Sequence, residues 1–324
     1  IYSVNGQPIS TFPLITVNNI KLGYAYFNGD SAYQLPQCDI TSNPYGGATG
    51  TYGLLNCLAI KYGGVWAVIR FYYQPGEKGV ILSFSKTQYS GSPYYFAPWV
   101  YIGTNGYLYI TDWTGSLFQV SFLLTTGWHT LVAGEYYSGG KYYLVAYLDS
   151  TGNSASSSTT SLPSLFGFDG PYPYSDIGTG YSASGFPSTP GGWFFYNGYI
   201  QYIALYAGNN SVTLLNDLLT WLNSTGGDAL PPELGSYGPY AVYTVSSLSG
   251  STWYDVSGNG NTASLVSGTS PAGISYTYPS SAVQYAMPVA FYVSNGATET
   301  LGVTPSEIAN SNFIVNTTTF TTGV

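Results

Sequence analysis

The chain has 324 residues, and only 6% of them are charged, against about a quarter in an average soluble domain. Its 41 Gly and 19 Pro favour short strands joined by turns and exclude a helical bundle or a coiled coil. Hydrophobic residues make up 44%, which is enough for a packed core, but the apolar runs are shorter than the roughly 20 residues of a membrane-spanning helix.

The few charges are distributed unevenly. All six Lys and Arg lie at or before Lys141, together with five acids, whereas the remaining nine acids follow without a single base. We therefore expect no nucleic-acid partner, because phosphate binding needs clustered Lys and Arg. Two interpretations of the asymmetry stay open. Copies could attract each other weakly head to tail, or the surface is a neutral Ser/Thr layer on which exposed charges contribute little.

The first residue is Ile1 rather than Met, which we interpret as the start of a mature, exported protein that is secreted or held at the cell surface. Cys38 and Cys57 are the only cysteines. An even pair in an exported chain predicts a disulfide, the alternative being two buried free thiols. Because only one His accompanies them, we expect no zinc site. The candidate glycosylation sites are the Asn-x-Ser/Thr sequons at Asn209, Asn223 and Asn316.

Residues 1–20 have the pattern of an extended arm. Tyr2 and Val4, and again Phe12 and Leu14, stand two apart, which is the spacing of a β-strand. Two prolines in the arm would interrupt a central strand, so we expect an edge strand or a free tail. The arm is therefore a candidate donor strand.

From residue 27 onward, strand-like runs alternate with turn signals. The predicted strands are 52–61, 65–73, 79–85, 99–102, 107–113, 118–124, 128–135 and 142–148. Residues 149–160 form a polar, loop-rich interruption, and an apolar strand follows at 194–206. The regular spacing of short strands and turns is typical of an antiparallel sandwich.

One helix is predicted, beginning at Ser211 as its N-cap and ending at Gly226 and Gly227. Its apolar stripe has helical spacing and consists of Leu214, Leu215, Leu218, Leu219 and Leu222. Residues 224–237 have the composition of a linker, and a second β-rich region follows at 238–324. We therefore expect a main sandwich at 21–223 and a smaller β-domain after the linker.

Four segments of the main domain resemble a known family. A Phe-x-Gly turn at Phe27 leads to Tyr33 and Leu35, a Trp-His strand begins at Trp128, and similar strands follow at 142–149 and 195–206. In this order they resemble the laminin-G-like branch of the concanavalin-A-like jelly rolls. The resemblance implies an all-β fold, an antiparallel jelly-roll sandwich with one short helix, and a family that often binds glycans or other proteins.

The second β-rich region contains one more landmark of this family. Residues 253–261 are similar to the Asp-x-Ser-Gly-Asn-Gly-Asn turn that normally precedes the Phe-x-Gly opening, but here they follow the complete domain. Residues 238–324 are therefore predicted to be an incomplete β-domain, or a different small sandwich that shares one turn. A sandwich that lacks a strand has an open edge, which can accept a strand from another chain.

No catalytic set is visible in the sequence. Glycosidases of the wider jelly-roll group carry paired acids on one strand, whereas no two of these fourteen acids stand two apart. His129, the only His, is either a core residue beside Trp128 or a base, and the lack of visible partners favours the first. Asp112, Asp149 and Asp255 are either Ca²⁺ ligands or turn caps. Without a dense acidic loop, turn capping is favoured, and the protein is not expected to be an enzyme.

Aromatic residues in predicted loops and at strand ends have three interpretations: stacking on sugars, anchoring a protein interface, or simple packing. They are Tyr94, Tyr95, Phe96, Trp99, Tyr172, Tyr174, Tyr181 and Trp193. Because 35 Tyr exceed what one site could use, packing is favoured for most of them.

The sequence thus predicts a structural subunit of an extracellular filament or surface assembly, in which copies join head to tail by β-strand donation. In composition and design it resembles archaeal surface threads and pili, without a shared motif. Candidate donor residues are Tyr2, Val4, Phe12 and Leu14 in the arm, and Phe313 and Val315 near the other end. The alternative is a carbohydrate-binding adhesin without catalytic activity, whose partners are glycans or other surface proteins.

Overall fold

The structure is a computed structural model, which describes residues 3–4, 7–8, 24–89, 95–208, 211–231, 239–274, 289–292 and 298–301. The chain forms two compact units. One is a sandwich unit of residues 22–275, and the other is a terminal unit that combines both chain ends, residues 1–21 and 276–324.

The strands, in chain order, are β1 Ser3–Val4, β2 Gln7–Pro8, β3 Tyr24–Asn28, β4 Ala32–Gln34, β5 Gln37–Ile40, β6 Gly50–Gly53, β7 Gly64–Tyr73, β8 Gly79–Ser85, β9 Phe96–Ile102, β10 Tyr107–Trp113, β11 Leu117–Leu123, β12 Gly127–Ser138, β13 Lys141–Leu148, β14 Ser154–Thr159, β15 Tyr174–Ile177, β16 Tyr181–Ser182, β17 Gly192–Trp193, β18 Asn197–Ala207, β19 Ala241–Thr244, β20 Leu248–Ser249, β21 Thr252–Trp253, β22 Ala263–Ser267, β23 Ala272–Ile274, β24 Val289–Tyr292 and β25 Thr298–Leu301. The helices are α1 Leu54–Tyr62 and α2 Ser211–Thr225.

Two large antiparallel sheets form the sandwich unit. The nine-stranded sheet has the order β11-β10-β9-β8-β15-β4-β22-β21-β20, and the eight-stranded sheet contains β14-β13-β12-β7-β18-β3-β23, with β19 also paired to β18. Alternate residues of each strand point between the sheets, which is why Ile69, Leu131 and Trp99 are fully buried in one core. The predicted all-β antiparallel sandwich is confirmed.

Residues 52–61 were predicted to form a strand, and this prediction is wrong. Residues Leu54–Tyr62 form helix α1, whose residues from Leu54 to Ile60 are all buried. A short, continuously apolar run has no period that separates a buried strand from a buried helix. The helix ends at Gly63, which adopts the left-handed conformation (φ 77°) that glycine allows. The described chain therefore contains two helices rather than one.

Helix α2 is confirmed at its predicted place and covers part of the outer face of the eight-stranded sheet. Leu214, Leu218 and Leu222 are fully buried against Trp66 and Val68 of β7. The predicted loop at 149–160 is different, since it contains β14, the last strand of the eight-stranded sheet. Because the segment is rich in Ser and Thr, it has no apolar alternation in its sequence, although its residues alternate between exposed and half-buried in the strand.

The structure also differs from the prediction of a separate domain at 238–324. Residues 239–274 belong to the sandwich unit, where β22 pairs with β4 and β23 with β3. Trp253 explains this placement, because it is fully buried with its ring centroid 5.9 Å from Phe27 and 5.6 Å from Tyr33. The sandwich is thus completed by its own later segment, and the boundary falls near residue 275 instead of 223.

The terminal unit contains a four-stranded sheet in the order β2-β1-β24-β25. In this sheet the arm pairs antiparallel with a strand from the other end of the chain, with Ser3 opposite Tyr292. Of the candidate donor residues, only Val4 lies within the described residues, in β1. Tyr2, Phe12, Leu14, Phe313 and Val315 lie outside them.

Gly134 offers a test of the outer-face packing. It lies opposite Trp66 on the neighbouring strand, and a Cβ atom at Gly134 would stand 2.2 Å from Cδ2 of the indole. We expect Gly134→Ala to lower the free energy of unfolding by about 1–3 kcal/mol, as overpacking does. Gly152→Ala is the control, because its Cβ would meet nothing closer than 3.8 Å. Denaturant unfolding of both variants checks this, and equal stability would contradict it.

Candidate functional site

The predicted disulfide between Cys38 and Cys57 is confirmed. It joins β5 to α1, so it connects the β5–β6 hairpin to a helix whose apolar residues belong to the core. The bond links two residues that are 19 positions apart and so restricts the conformations of the unfolded chain, which is the main way in which a disulfide stabilises a fold.

His129 is a buried structural residue. Its Nδ1 lies 2.7 Å from the Asp149 carboxylate and its Nε2 lies 2.7 Å from the Thr125 carbonyl oxygen. Burial lowers the pKa of His129, but the two hydrogen bonds outweigh it and the pKa is raised. With both ring nitrogens engaged, His129 has no lone pair for a substrate proton or a metal ion. The structural interpretation from the sequence is the one that this geometry supports.

Two of the three candidate Ca²⁺ ligands act as caps for backbone N–H groups. Asp149 accepts a hydrogen bond from the N–H of Thr130 at 2.7 Å. Asp255 accepts from the N–H groups of Val242, Ser257 and Asn261 at 2.8–2.9 Å, which closes the turn at 255–261. Among the described residues no group of three or more His, Cys, Asp or Glu is placed to hold a metal ion.

Asp112, the third candidate, belongs to a carboxyl pair inside the core. It comes from β10 of one sheet and interacts with Glu135 from β12 of the other, and both residues are fully buried. Asp112 also accepts hydrogen bonds from the N–H groups of Trp113 at 2.6 Å and Leu165 at 2.9 Å. The indole of Trp99 interacts with Glu135. No substrate can reach this pair without separating the sheets.

Burial dominates the protonation of these acids. It raises the pKa of Asp112 to about 7 and that of Glu135 well above its ordinary value, with the neighbouring Asp112 raising it further. Burial also raises the pKa of Asp176 and of Glu77 to about 7. The pair therefore holds protons across the acidic range, because burial between the two sheets favours the neutral form of both carboxyls.

The glycosylation candidates are placed as follows. Asn223 is exposed in the last turn of α2, where its side-chain oxygen lies 3.4 Å from the N–H of Thr151. Thr225, the third residue of this sequon, donates its hydroxyl to the Trp221 carbonyl at 2.8 Å. Asn209 and Asn316 lie outside the described residues.

The loop aromatics do not form one binding platform. Trp99 and Tyr172 are buried, and Phe96 packs against Tyr181 with ring centroids 4.8 Å apart. Tyr181 in turn contacts Trp193, and Tyr174 is half-buried. Tyr95 is 39% exposed with Lys86 Nζ 4.0 Å above its ring, and Tyr94 lies outside the described residues.

A different set of rings lies together on the outer face of the eight-stranded sheet. Tyr26, Tyr199, Tyr72 and Trp128 occupy one line of direct cross-strand neighbours on β3, β18, β7 and β12. With Tyr24 they form what we call the aromatic row. Successive ring centroids are 4.9, 6.1 and 5.5 Å apart along the line. All five rings are half-buried.

Arg70 borders the row on the side of α2. Its guanidinium lies 5.6 Å from the Trp128 ring, and it donates to the Gly226 carbonyl at 2.8 Å and pairs with Asp228. Sequence reasoning missed the row because its members come from four distant strands, and only the register brings them together. The single local signal is the spacing of Tyr24 and Tyr26.

No family model matches the sequence, and no curated protein matches it. Among solved structures, the chain is similar at 12% identity to the enzymatically active domain of tailspike protein 2 from bacteriophage CBA120, with a TM-score of 0.30 over 60% of this chain and 30% of that one. The binding domain of botulinum neurotoxin DC, in a complex with SialylT, gives 12% identity and a TM-score of 0.32, over 64% and 53% of the two chains. Similarities at this level show neither a family nor a shared function.

The buried acids predict that the protein is most stable at acidic pH. A raised carboxyl pKa contributes stability that is complete below the unfolded value of about 4 and is lost as pH rises through the folded value. The raised pKa of His129 acts in the same direction. We expect the free energy of unfolding to fall between pH 4 and pH 8 by more than about 1.4 kcal/mol, which corresponds to one pKa unit.

Thermal unfolding between pH 4 and pH 8 measures this dependence. Glu135→Gln keeps a hydrogen-bonding group but removes one titration, so its profile should be flatter than that of the wild type. Asp39→Asn is the control, because Asp39 is exposed on β5. A wild-type stability that rises with pH would contradict the prediction.

Proposed function

We propose that the protein is a structural subunit of an extracellular filament or surface assembly, and that neighbouring copies are joined by β-strand donation. One observation carries the proposal. Strand β1 of the arm pairs antiparallel with β24, so the two ends of the chain are β-partners in a unit separate from the sandwich. The same pairing made between copies links them through main-chain hydrogen bonds.

The donation is heterologous, because the arm of one copy meets the C-terminal segment of the next. A joined pair of copies then still has one unpaired arm and one unpaired C-terminal segment, each of which can bind a further copy. Such contacts propagate into a fibre when the rotation between copies does not close a ring. Exchange of an identical element between copies also costs little, since the bonds lost within a chain are regained between chains. β1 is only two residues long, so exchange breaks few bonds.

The sandwich unit supports this function through its small number of charges, some of which are paired within the unit. Arg70 is paired with Asp228 and His129 with Asp149. Because only 6% of the residues are charged, close approach of copies costs little desolvation of charge. The disulfide fits an oxidising exterior. None of the helices in the described part of the chain is long and apolar enough to span a membrane.

A carbohydrate-binding adhesin without catalytic activity is the second candidate, and the half-buried aromatic row is the observation that favours it. Aromatic rings on a sheet can contact the apolar faces of sugars. The laminin-G-like resemblance belongs to the same proposal, since that family often binds glycans. A glycan array probed with and without Ca²⁺ separates the two functions, because specific binding by a monodisperse monomer supports the adhesin.

Deletion of residues 1–18 tests the filament proposal. We expect filaments to disappear from electron micrographs while the monomer keeps its fold, because the removed strands lie in the terminal unit and none belongs to the sandwich unit. Circular dichroism and the melting temperature check the fold. Filaments that persist in the deletion variant would contradict donation by the arm.

A further inference from the structure

The outer face of the eight-stranded sheet is covered only in part. Helix α2 buries Trp66, Val68 and Tyr202 on one half of this face. Its C-terminal turn then bonds to the sheet, where Tyr202 donates its hydroxyl to the Gly227 carbonyl at 2.8 Å. Beyond Arg70 comes the aromatic row, whose five rings are only half-buried and belong to neither hydrophobic cluster of the sandwich unit.

We infer that the aromatic row is the surface on which the terminal unit of a second copy of this chain docks. The inference rests on the proposed function, since strand donation supplies the second copy. It adds the place on the sandwich unit where the neighbour is held.

The two chain connections that lead to the terminal segments leave the sandwich unit at the border of the row. Tyr24, a member of the row, is the first residue of β3, and it lies opposite Ile274, the last residue of β23. Both connections between the two units therefore leave the sandwich unit at this pair. When the arm of one copy pairs with β24 of the next, the neighbour's C-terminal segment is bound to the chain that continues directly into Tyr24.

The terminal segments and the aromatic row are both poor in charge. The terminal segments, 1–21 and 276–324, contain Lys21, Glu299 and Glu307 as their only charged residues. The aromatic row is uncharged, and Arg70 at its border is already neutralised by Asp228. Burial of one surface against the other therefore leaves few charges without a partner, which is the usual composition of an interface core. Tyr, Trp and Arg are also the residues that contribute most to binding at such cores.

The ring geometry favours a protein partner over a sugar. Tyr199 meets Tyr24 at 89° and Tyr72 at 79°, and Tyr72 meets Trp128 at 70°. In these edge-to-face contacts a ring edge is directed at the π-face of a neighbour. A pyranose needs an open ring face to stack on, whereas side chains of a protein partner can fill the notches between tilted rings.

Photochemical cross-linking of the full-length protein tests the inference. A photoreactive p-benzoylphenylalanine replaces Tyr199, and ¹⁵N-labelled and unlabelled copies are mixed in equal amounts before irradiation. We expect cross-linked peptides that join position 199 to residues 1–21 or 276–324 and carry mixed labels in about half of the products, the share that random mixing gives. The same group at Tyr107, which is 37% exposed on the nine-stranded sheet, is the control and should give none.

Products with a single label only would show that a chain covers its own row and would overturn the inference, as would the absence of these cross-links. Specific glycan binding that is lost in Tyr199→Ala, without inter-copy cross-links, would also overturn it, in favour of the sugar. Filaments without these cross-links contradict the inference alone. Cross-links between copies that form no filaments contradict the proposed function alone.

The combined variant Tyr72→Ala and Tyr199→Ala provides a second measurement. We expect the concentration needed for assembly to rise at least tenfold, while Tyr107→Ala leaves it unchanged. Assembly at the wild-type concentration by a variant that melts like the wild type would contradict the inference. If the double variant does not fold, Tyr199→Leu, which keeps an apolar side chain but removes the ring, replaces it in the same measurement.

Discussion

The alternation of strand β7 is the constraint on which the rest of the sandwich depends. Ala67, Ile69 and Phe71 point into the core, whereas the residues between them point to the outer face. Because β12 and β18 pair with β7 along most of its length, their side chains are sorted in the same way. The apolar face under α2 and the aromatic row both follow from this alternation, although β18 has a register shift between Ile200 and Tyr202 that separates the two regions. A slip by one residue would exchange the two faces.

The molecule has few charged residues, and several of them make specific contacts within the sandwich unit. Arg70 fixes the end of α2 to the sheet through Gly226 and Asp228, and His129 ties its strand to Asp149. Asp112 and Glu135 meet in the core, where burial favours their neutral forms. These paired and buried charges contribute to the fold, whereas other charged residues, such as Lys61, Lys141 and Asp217, are exposed.

Local patterns predicted the elements whose signals are local. The strands at 79–85 and 107–113, the leucine stripe of α2 and the Cys38–Cys57 bond are as expected. Helix α1 was missed because its buried run has no distinguishing period, and β14 because its Ser/Thr sequence reads as a loop. The turn at 255–261 was recognised from its sequence, but it was assigned to a separate domain instead of the main sandwich. Only the long-range pairing of β22 with β4 and of β23 with β3 shows that the segment after this turn belongs to the main sandwich.

The central claim is that the two chain ends recognise each other between copies. Oxidation of a mixture of two full-length variants, one with Ser3→Cys and one with Tyr292→Cys, tests it most directly, because these residues are opposite each other in the β1–β24 pair. The account predicts a disulfide-linked product of the two variants, and far less of it when Ala290→Cys replaces Tyr292→Cys. It would be contradicted if the mixture gave no linked product while one chain carrying both substitutions closed the bond within itself.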